Sequence, residues 1–248
     1  LQSQADGSLP HDIQNIDRLQ GNVYMDDPAV GKVIASNLTS GQGGVADQYT
    51  DETWVHAIRH GVRYNGKPLL FMPSTEFYYL SDADLSAVIA YVKSVSPVDN
   101  VLPASQVSIT GRILMTLVPA ITFMPAEMIP HDTPRPVAPA AAVTPEYGEY
   151  LTQSCKVCHG LTMSGGKIPA FPSSWPAAPN LTWGSGSALP RWSEVDFITA
   201  MRTGKRPQGQ PLNSAYMPWT SFRYMDDLEL KAVWAYLKNL PQKDFGNR

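Results

Sequence analysis

The two cysteines of the chain lie in one short stretch, Ser154–Gly160, SCKVCHG, where Cys155, Cys158 and His159 form a C-x-x-C-H. Two thiols at this spacing can each add across a vinyl group of a haem, and the adjacent imidazole is then held against the iron. Other readings ask for more than the sequence offers. A zinc site of the C-x-x-C type needs two further ligands at suitable spacing, and no other cysteine exists. A thioredoxin-like pair needs a βαβ context, which the surrounding pattern does not supply. A chance occurrence stays open. The covalent reading commits both thiols, leaves none for a disulfide, and implies a single haem c.

A second pattern occurs twice. Leu69–Phe77 reads LLFMPSTEF and Tyr216–Phe222 reads YMPWTSF, each with a methionine before proline and a phenylalanine five residues after the methionine. These are parts of a larger repeat. Sliding the chain on itself by about 143–145 residues pairs SNLTSG at Ser36–Gly41 with PNLTWG at Pro179–Gly184, and NGKPL at Asn65–Leu69 with QGQPL at Gln208–Leu212. Tyr49–Arg63 pairs with Trp192–Arg206, and Leu80–Val95 with Met225–Leu240. Identical residues include Arg59/Arg202, Gly61/Gly204, Leu85/Leu230, Tyr91/Tyr236 and Lys93/Lys238. The period, roughly a hundred residues of pattern plus a connection, is a tandem duplication of a domain, not a solenoid.

Four segments must position these residues as helices. Asp51–Arg63 and Glu194–Arg206 have apolar residues at helical spacing and a glycine near the end. Leu80–Val95 and Met225–Leu240 show the i, i+3/i+4, i+7 pattern, with Ser81 or Asp82 and Asp226 as caps and Pro97 and Pro241 as stops. Pro145–Val157 reads as a further helix that delivers the C-x-x-C-H at its end. Between the repeats, Pro97–Pro145 is a long connection; PAEMIPHDTPRPVAPAAAVTPE, Pro125–Glu146, is proline- and alanine-rich, hence extended and fairly stiff, with a short helix expected before it in Val107–Val118. The two N-L-T triplets match a glycosylation sequon, but their equal place in the repeat favours a structural turn.

With 248 residues the chain can bury a sizeable core. Its net charge of −3 carries no polyanion-binding signal, so nucleic acid is not an expected partner. The charge is divided unevenly: residues 1–143 hold 8 basic and 14 acidic side chains, a net of −6, and residues 144–248 hold 11 and 8, a net of +3. No apolar run is long enough for a transmembrane helix. The most apolar segment, Ile113–Met124, is interrupted by Pro119, and shallow membrane or partner contact stays open for it. No signal peptide is recognised, and the chain reads as a mature product.

A helix ending in C-x-x-C-H, a loop-rich middle, a methionine before proline and a last helix of the type L-x-A-V-x-A-Y-L-K together resemble class I cytochrome c. The resemblance extends over both repeats, and their order is similar to that of bacterial periplasmic two-domain, dihaem cytochromes c. It implies an all-α fold: a cytochrome c-like domain at 1–98, a linker at 99–143, and a haem-binding domain at 144–248 whose first and last helices cross. It also implies that Cys155 and Cys158 hold the haem, that His159 is the proximal iron ligand, and that Met217 is the distal one. Met217 has rivals. Met163 is only four residues from His159, Met201 falls on a helix where the other repeat has Ile58, and Met225 starts the last helix where the other repeat has Leu80. The family would supply the carbonyl that orients His159 from around Ile168–Pro169. Arg202, Trp175, Trp183 and Trp219 are candidates for haem-propionate contacts, although Arg202 recurs as Arg59 and can equally hold a helix to its loop.

The first repeat departs from this pattern. Aligning Gly21 with Gly165 puts HDIQN, His11–Asn15, at the place of the C-x-x-C-H, with Asn15 where His159 stands. Covalent attachment cannot occur there. Either this domain has lost its haem, in which case Met72 is an adaptable core side chain, or the attachment motif lies upstream of the sequence. A noncovalent haem between Met72 and His11 is a third reading.

The function expected from the resemblance is one-electron transfer by a periplasmic carrier, or by the cytochrome subunit of a redox complex, with redox proteins as partners. A haem enzyme of dehydrogenase or peroxidase type is the alternative; it needs a displaced Met217 or a catalytic base, and none stands out. The acidic first half is also open to a reading as a protein-docking module.

Overall fold

The structure, a computed structural model, describes residues 18–117, 124–134, 137–169 and 174–248. These divide into two compact units, the first running up to Val137 and the second from Ala138. His11–Asn15, at the place in the first repeat that matches the C-x-x-C-H, lie outside the described residues.

The first unit opens with β1 (Asn22–Asp27) and β2 (Gly31–Ala35), followed by α1 (Asp51–His60), α2 (Ser74–Phe77) and α3 (Asp82–Ser94). It continues with β3 (Gln106–Val107) and α4 (Ile109–Leu117). The second unit contains α5 (Pro145–Leu151), α6 (Gln153–His159), α7 (Glu194–Thr203), α8 (Trp219–Phe222) and α9 (Asp227–Asn239). The protein is mostly helical, as expected, but it is not all-α. The strands form an antiparallel sheet in the order β1-β2-β3, with Asn22 opposite Ala35 and Asp27 opposite Gly31.

The sheet has a local cause. Asp27 Oδ1 accepts from the amides of Ala29 and Val30 and closes a tight turn between two runs rich in β-branched and aromatic residues. In the second unit the matching loop makes, among the described residues, a single bridge, Gly166 to Ala178. Its sequence carries Pro169, Pro172 and Pro176, and a proline cannot donate to a ladder.

The two cores match. The first core is Trp54, Ile58, Leu85, Ile89 and Val92, and the second holds Phe197, Met201, Leu230, Trp234 and Leu237 at the matching places. Each such side chain contributes about 1.5–3 kcal/mol by leaving water. Capping boxes start α1 (Thr50 with Thr53) and α7 (Ser193 with Asp196), and Gly61 and Gly204 end them in the left-handed region at φ 66° and 67°.

The N-L-T triplets are buried turns. Asn37 Oδ1 accepts from the Thr39 amide at 3.0 Å and its hydroxyl at 2.8 Å, while Asn37 Nδ2 reaches the Val98 carbonyl at 2.8 Å. Asn180, Thr182 and Lys243 repeat the arrangement, with the Asn180 bonds at 2.8 Å. Both asparagines are buried, so they tie each middle loop to the chain that leaves α3 or α9.

The units differ at one face. In the second, α5 crosses α9 so closely that a Cβ on Gly148 would stand 2.0 Å from the Ala232 carbonyl oxygen. Val233 and Tyr236 are 6% and 9% exposed there. Their counterparts on α3, Val88 and Tyr91, are 38% and 58% exposed, with no crossing helix among the described residues.

Part of the stretch expected as linker packs on the first unit. Asn100 donates to the Gln20 carbonyl at 2.8 Å, β3 pairs with β2, and Tyr78 Oη donates to the Pro130 carbonyl at 3.0 Å. Pro125 and Ile129 are buried, and α4 is the short helix expected in Val107–Val118.

Candidate functional site

The site is built at the end of a broken helix. Thr144 caps α5 by accepting from the Tyr147 amide, and Pro145 takes the first helical position, where its missing N–H costs nothing. The chain then breaks at Thr152, which is fully buried and whose hydroxyl donates back to the Glu149 carbonyl. The continuous helix expected over Pro145–Val157 is therefore two helices, since this hydroxyl and the turn at Thr152 interrupt the ladder. The Thr152 carbonyl accepts from the Cys155 amide and starts α6.

On α6, Cys155, Cys158 and His159 occupy positions i, i+3 and i+4, which share a helix face. Both cysteines are half-buried. His159 is 7% exposed, and its Nδ1 lies 2.8 Å from the Pro179 carbonyl oxygen. A carbonyl only accepts, so Nδ1 carries the proton and the lone pair is on Nε2. Burial holds this imidazole below its ordinary pKa; the bond to Pro179 opposes the shift and the Arg248 guanidinium adds to it. The orienting carbonyl thus comes from Pro179 and not from Ile168–Pro169. Pro179 is fixed by the adjoining asparagine turn and by the Leu181 amide donating to the Met163 carbonyl. Gly165, at φ 73°, permits the approach, because a Cβ there would meet the Ala178 carbonyl oxygen at 2.3 Å.

Tyr236 lies against this helix. Burial, followed by the charges of Glu149 and Cys155, pushes its hydroxyl up to about 12. Lys156 Nζ stands 5.9 Å over its ring and pairs with Glu149 at 3.1 Å.

Met217 is half-buried against the second core, in the loop before α8. Its amide donates to the Asn213 carbonyl at 2.9 Å, and Pro218 follows at φ −77°, ψ 52°. Met72 and Pro73 repeat this, with Pro73 at φ −77°, ψ 51° and Met72 packed against the first core. Among the rivals, Met163 and Met201 are buried in the core and Met225 packs at its edge. His11 and Asn15 lie outside the described residues.

Three of the propionate candidates have other partners. Arg202 donates to the Arg223 and Met225 carbonyls and pairs with Asp227 at 2.8 Å. Arg59 does the same work in the first unit, donating to the Leu80 carbonyl and to Asp82, both at 2.8 Å. The indole N–H groups of Trp183 and Trp219 donate to the Leu237 and Leu212 carbonyls. Trp175 stands edge-on to Tyr216, with ring centroids 5.2 Å apart.

Two groupings escaped sequence reasoning. Arg248 donates to the carbonyls of Val157 and Cys158 at the end of α6. His60 Nδ1 lies 3.0 Å from His131 Nδ1, beside His56 and Tyr78, around a cavity of about 170 Å³ in the first unit. The i, i+4 spacing of His56 and His60 was visible; the return of the chain at His131 was not. Among the described residues no group of three or more His, Cys, Asp or Glu side chains is placed to hold a metal ion, so the zinc reading gains no further ligands. The donor set on α6 fits covalent haem: two half-buried thiols on one face and a buried imidazole presenting its Nε2 lone pair.

Comparison with known proteins agrees. Residues 146–241 match the family model for cytochrome c, and this segment is a cytochrome c domain. The chain is similar to the fructose dehydrogenase cytochrome subunit of Gluconobacter japonicus, at 27% identity over 91% of this chain and 48% of that protein. It is similar to the cytochrome c subunit of the quinone alcohol dehydrogenase of Gluconacetobacter polyoxogenes, at 28% over 86% and 48%. With the gluconate 2-dehydrogenase cytochrome c subunit of Pantoea cypripedii it shares 26% over 94% and 56%. The chain spans about half the length of the curated relatives it matches.

Proposed function

We propose that the cytochrome c domain carries one covalent haem c on Cys155 and Cys158 and transfers single electrons outside the cytoplasm, as part of the cytochrome subunit of a dehydrogenase complex. The observation that carries this reading is His159, buried at the end of the C-x-x-C-H helix with Nδ1 committed to Pro179 and Nε2 available as a ligand. Haem, when bound, would supply an iron that changes valence by one electron, with His159 and Met217 as the residues that would hold it.

The protein's own groups do the rest. Pro179 fixes the tautomer and plane of His159, and a fixed histidine is a stronger, less reorganising ligand. Met217 offers a soft thioether from a loop held by Asn213 and Pro218, and a histidine/methionine pair raises the potential relative to two histidines. The surrounding core of Leu230, Trp234 and Leu237 excludes water and lowers the local dielectric. The kinship with dehydrogenase cytochrome subunits supports a dehydrogenase as electron donor; the first unit, at net −6, would then offer an acidic face to such partners.

The test is replacement of both thiols. In Cys155→Ala/Cys158→Ala produced with haem-attachment machinery, a denaturing gel stained for haem should show none, whereas the unaltered chain keeps its stain. A stain that survives the double replacement would contradict the attachment site.

A further inference from the structure

The chain leaving α9 does not trail away from the domain. It returns to the helix that bears the two cysteines. The Lys243 carbonyl is held by Asn180 and Thr182, and the Phe245 amide donates to the Ser185 carbonyl. The Gly246 amide then donates to the Ser164 carbonyl, and the Asn247 carbonyl accepts from the Thr162 hydroxyl. This path delivers Arg248 to the end of α6. Its Nη1 donates to the Cys158 carbonyl at 2.9 Å and, at 3.3 and 3.4 Å, to those of Gly166 and Gly165; its Nη2 donates to the Val157 carbonyl at 3.2 Å. Gly160 gives it room, because a Cβ there would stand 3.0 Å from the Arg248 Cβ.

The contacts are chemically specific. The last carbonyls of a helix have no partner within it and form the negative end of its dipole, so a cation is favoured there. A planar guanidinium can serve the helix end and the following loop at once, which an ammonium on a flexible stem cannot do. The first unit supplies a contrast. The matching segment after α3 uses a neutral side chain: Asn100 Nδ2 donates to the Gln20 and Gly21 carbonyls, at the places matching Ser164 and Gly165. At the offset that pairs Val98 with Lys243, Asn100 pairs with Phe245 and Arg248 with Pro103, so the first unit has no cation at the matching place.

We propose that Arg248 is a positioning residue for the haem-attachment helix, and that its fixed charge raises the midpoint potential of the haem held there. This rests on the function proposed above. The clamp joins the carbonyls of Val157 and Cys158 to those of Gly165 and Gly166, so the segment carrying Cys158 and His159 cannot shift relative to the loop that follows. The charge acts by simple electrostatics. Oxidation removes one electron and leaves the centre one unit more positive, which a nearby fixed cation opposes. Reduction is favoured by the same amount.

The full chain with its haem is titrated potentiometrically as the unaltered protein, Arg248→Gln and Arg248→Lys, and each is also melted. Arg248→Gln should have a lower midpoint potential. Arg248→Lys, which keeps the charge but not the fork, should stay near the unaltered potential. Both should melt at lower temperature, because neither replaces all four carbonyl contacts. Equal potentials for the unaltered protein and Arg248→Gln would overturn the charge role, and so would equal drops in Gln and Lys. Unchanged melting in both would overturn the clamp. If Arg248→Gln does not retain haem, Arg248→Lys decides alone: a potential near the unaltered value supports the charge role and a lowered one refutes it. A failure of the underlying function would show separately, as absence of covalent haem from the unaltered chain.

Discussion

As the proposed iron ligands, Met217 and His159 would act by opposite means, one by a soft, half-buried sulfur on a loop and the other by a buried ring locked to a carbonyl. If Met217 closes the iron's sixth position, Met217→Ala should abolish the weak near-infrared sulfur-to-iron band, lower the potential and admit carbon monoxide. Persistence of the band in Met217→Ala, with its loss on replacing Met201 or Met225, would transfer the role. The C-x-x-C-H was legible because its chemistry is local and contiguous. The partner of His159 was not, because Pro179 is 20 residues away and reaches it through a turn built on Asn180. Arg202 holds its helix to the following loop, the reading that its recurrence as Arg59 offered, whereas the carbonyl partners of the Trp183 and Trp219 indoles are set by the fold and carry no sequence signal.

The helices were legible because apolar spacing, caps and stops agree at both copies of each. The β1–β2 hairpin was not, since a helical repeat masked an alternating segment closed by Asp27. Helix contacts make two predictions. Gly148→Val should push α5 off α9 at a cost of about 3 kcal/mol or more, with poor retention of the haem domain's fold, because the backbone oxygen of Ala232 cannot yield. Thermal melts of the haem form would read it. The second concerns the contact of α1 with the segment at His131. Burial, followed by the charges of His131, His56 and Arg59, holds His60 below its ordinary pKa of 6.5. Above that value both states are neutral there; as pH falls below it the unfolded chain takes up a proton that the folded unit resists, and stability drops. Denaturant melts of the first unit should weaken on acidification in this window, and His60→Gln should remove the drop. What remains is the opposite contribution of Glu76, whose half-buried carboxyl is held above its ordinary range.

At the scale of the whole molecule, the duplication was the most legible feature, because it is written in identical residues at fixed offsets, and the paired cores and paired asparagine turns agree with it. What the sequence left unresolved was the reach of each unit. The stretch after Pro97 reads as a connection, and Pro125–Glu146 as a strap by composition, yet Asn100, β3 and the turn at Pro125–Met128 belong to the first unit, because backbone pairing and burial of Ile129 do not depend on proline content. The units have kept a common scaffold while one face diverged: α5 covers α9, and the Val88–Tyr91 face of α3 is open among the described residues. Covalent haem is proposed for the second unit alone. Intact mass of the purified chain, paired with pyridine haemochrome quantitation on the same sample, tests this most directly. One haem per chain by both methods is the expected result; none in the mass, or a second haem in the chromophore assay, would contradict it.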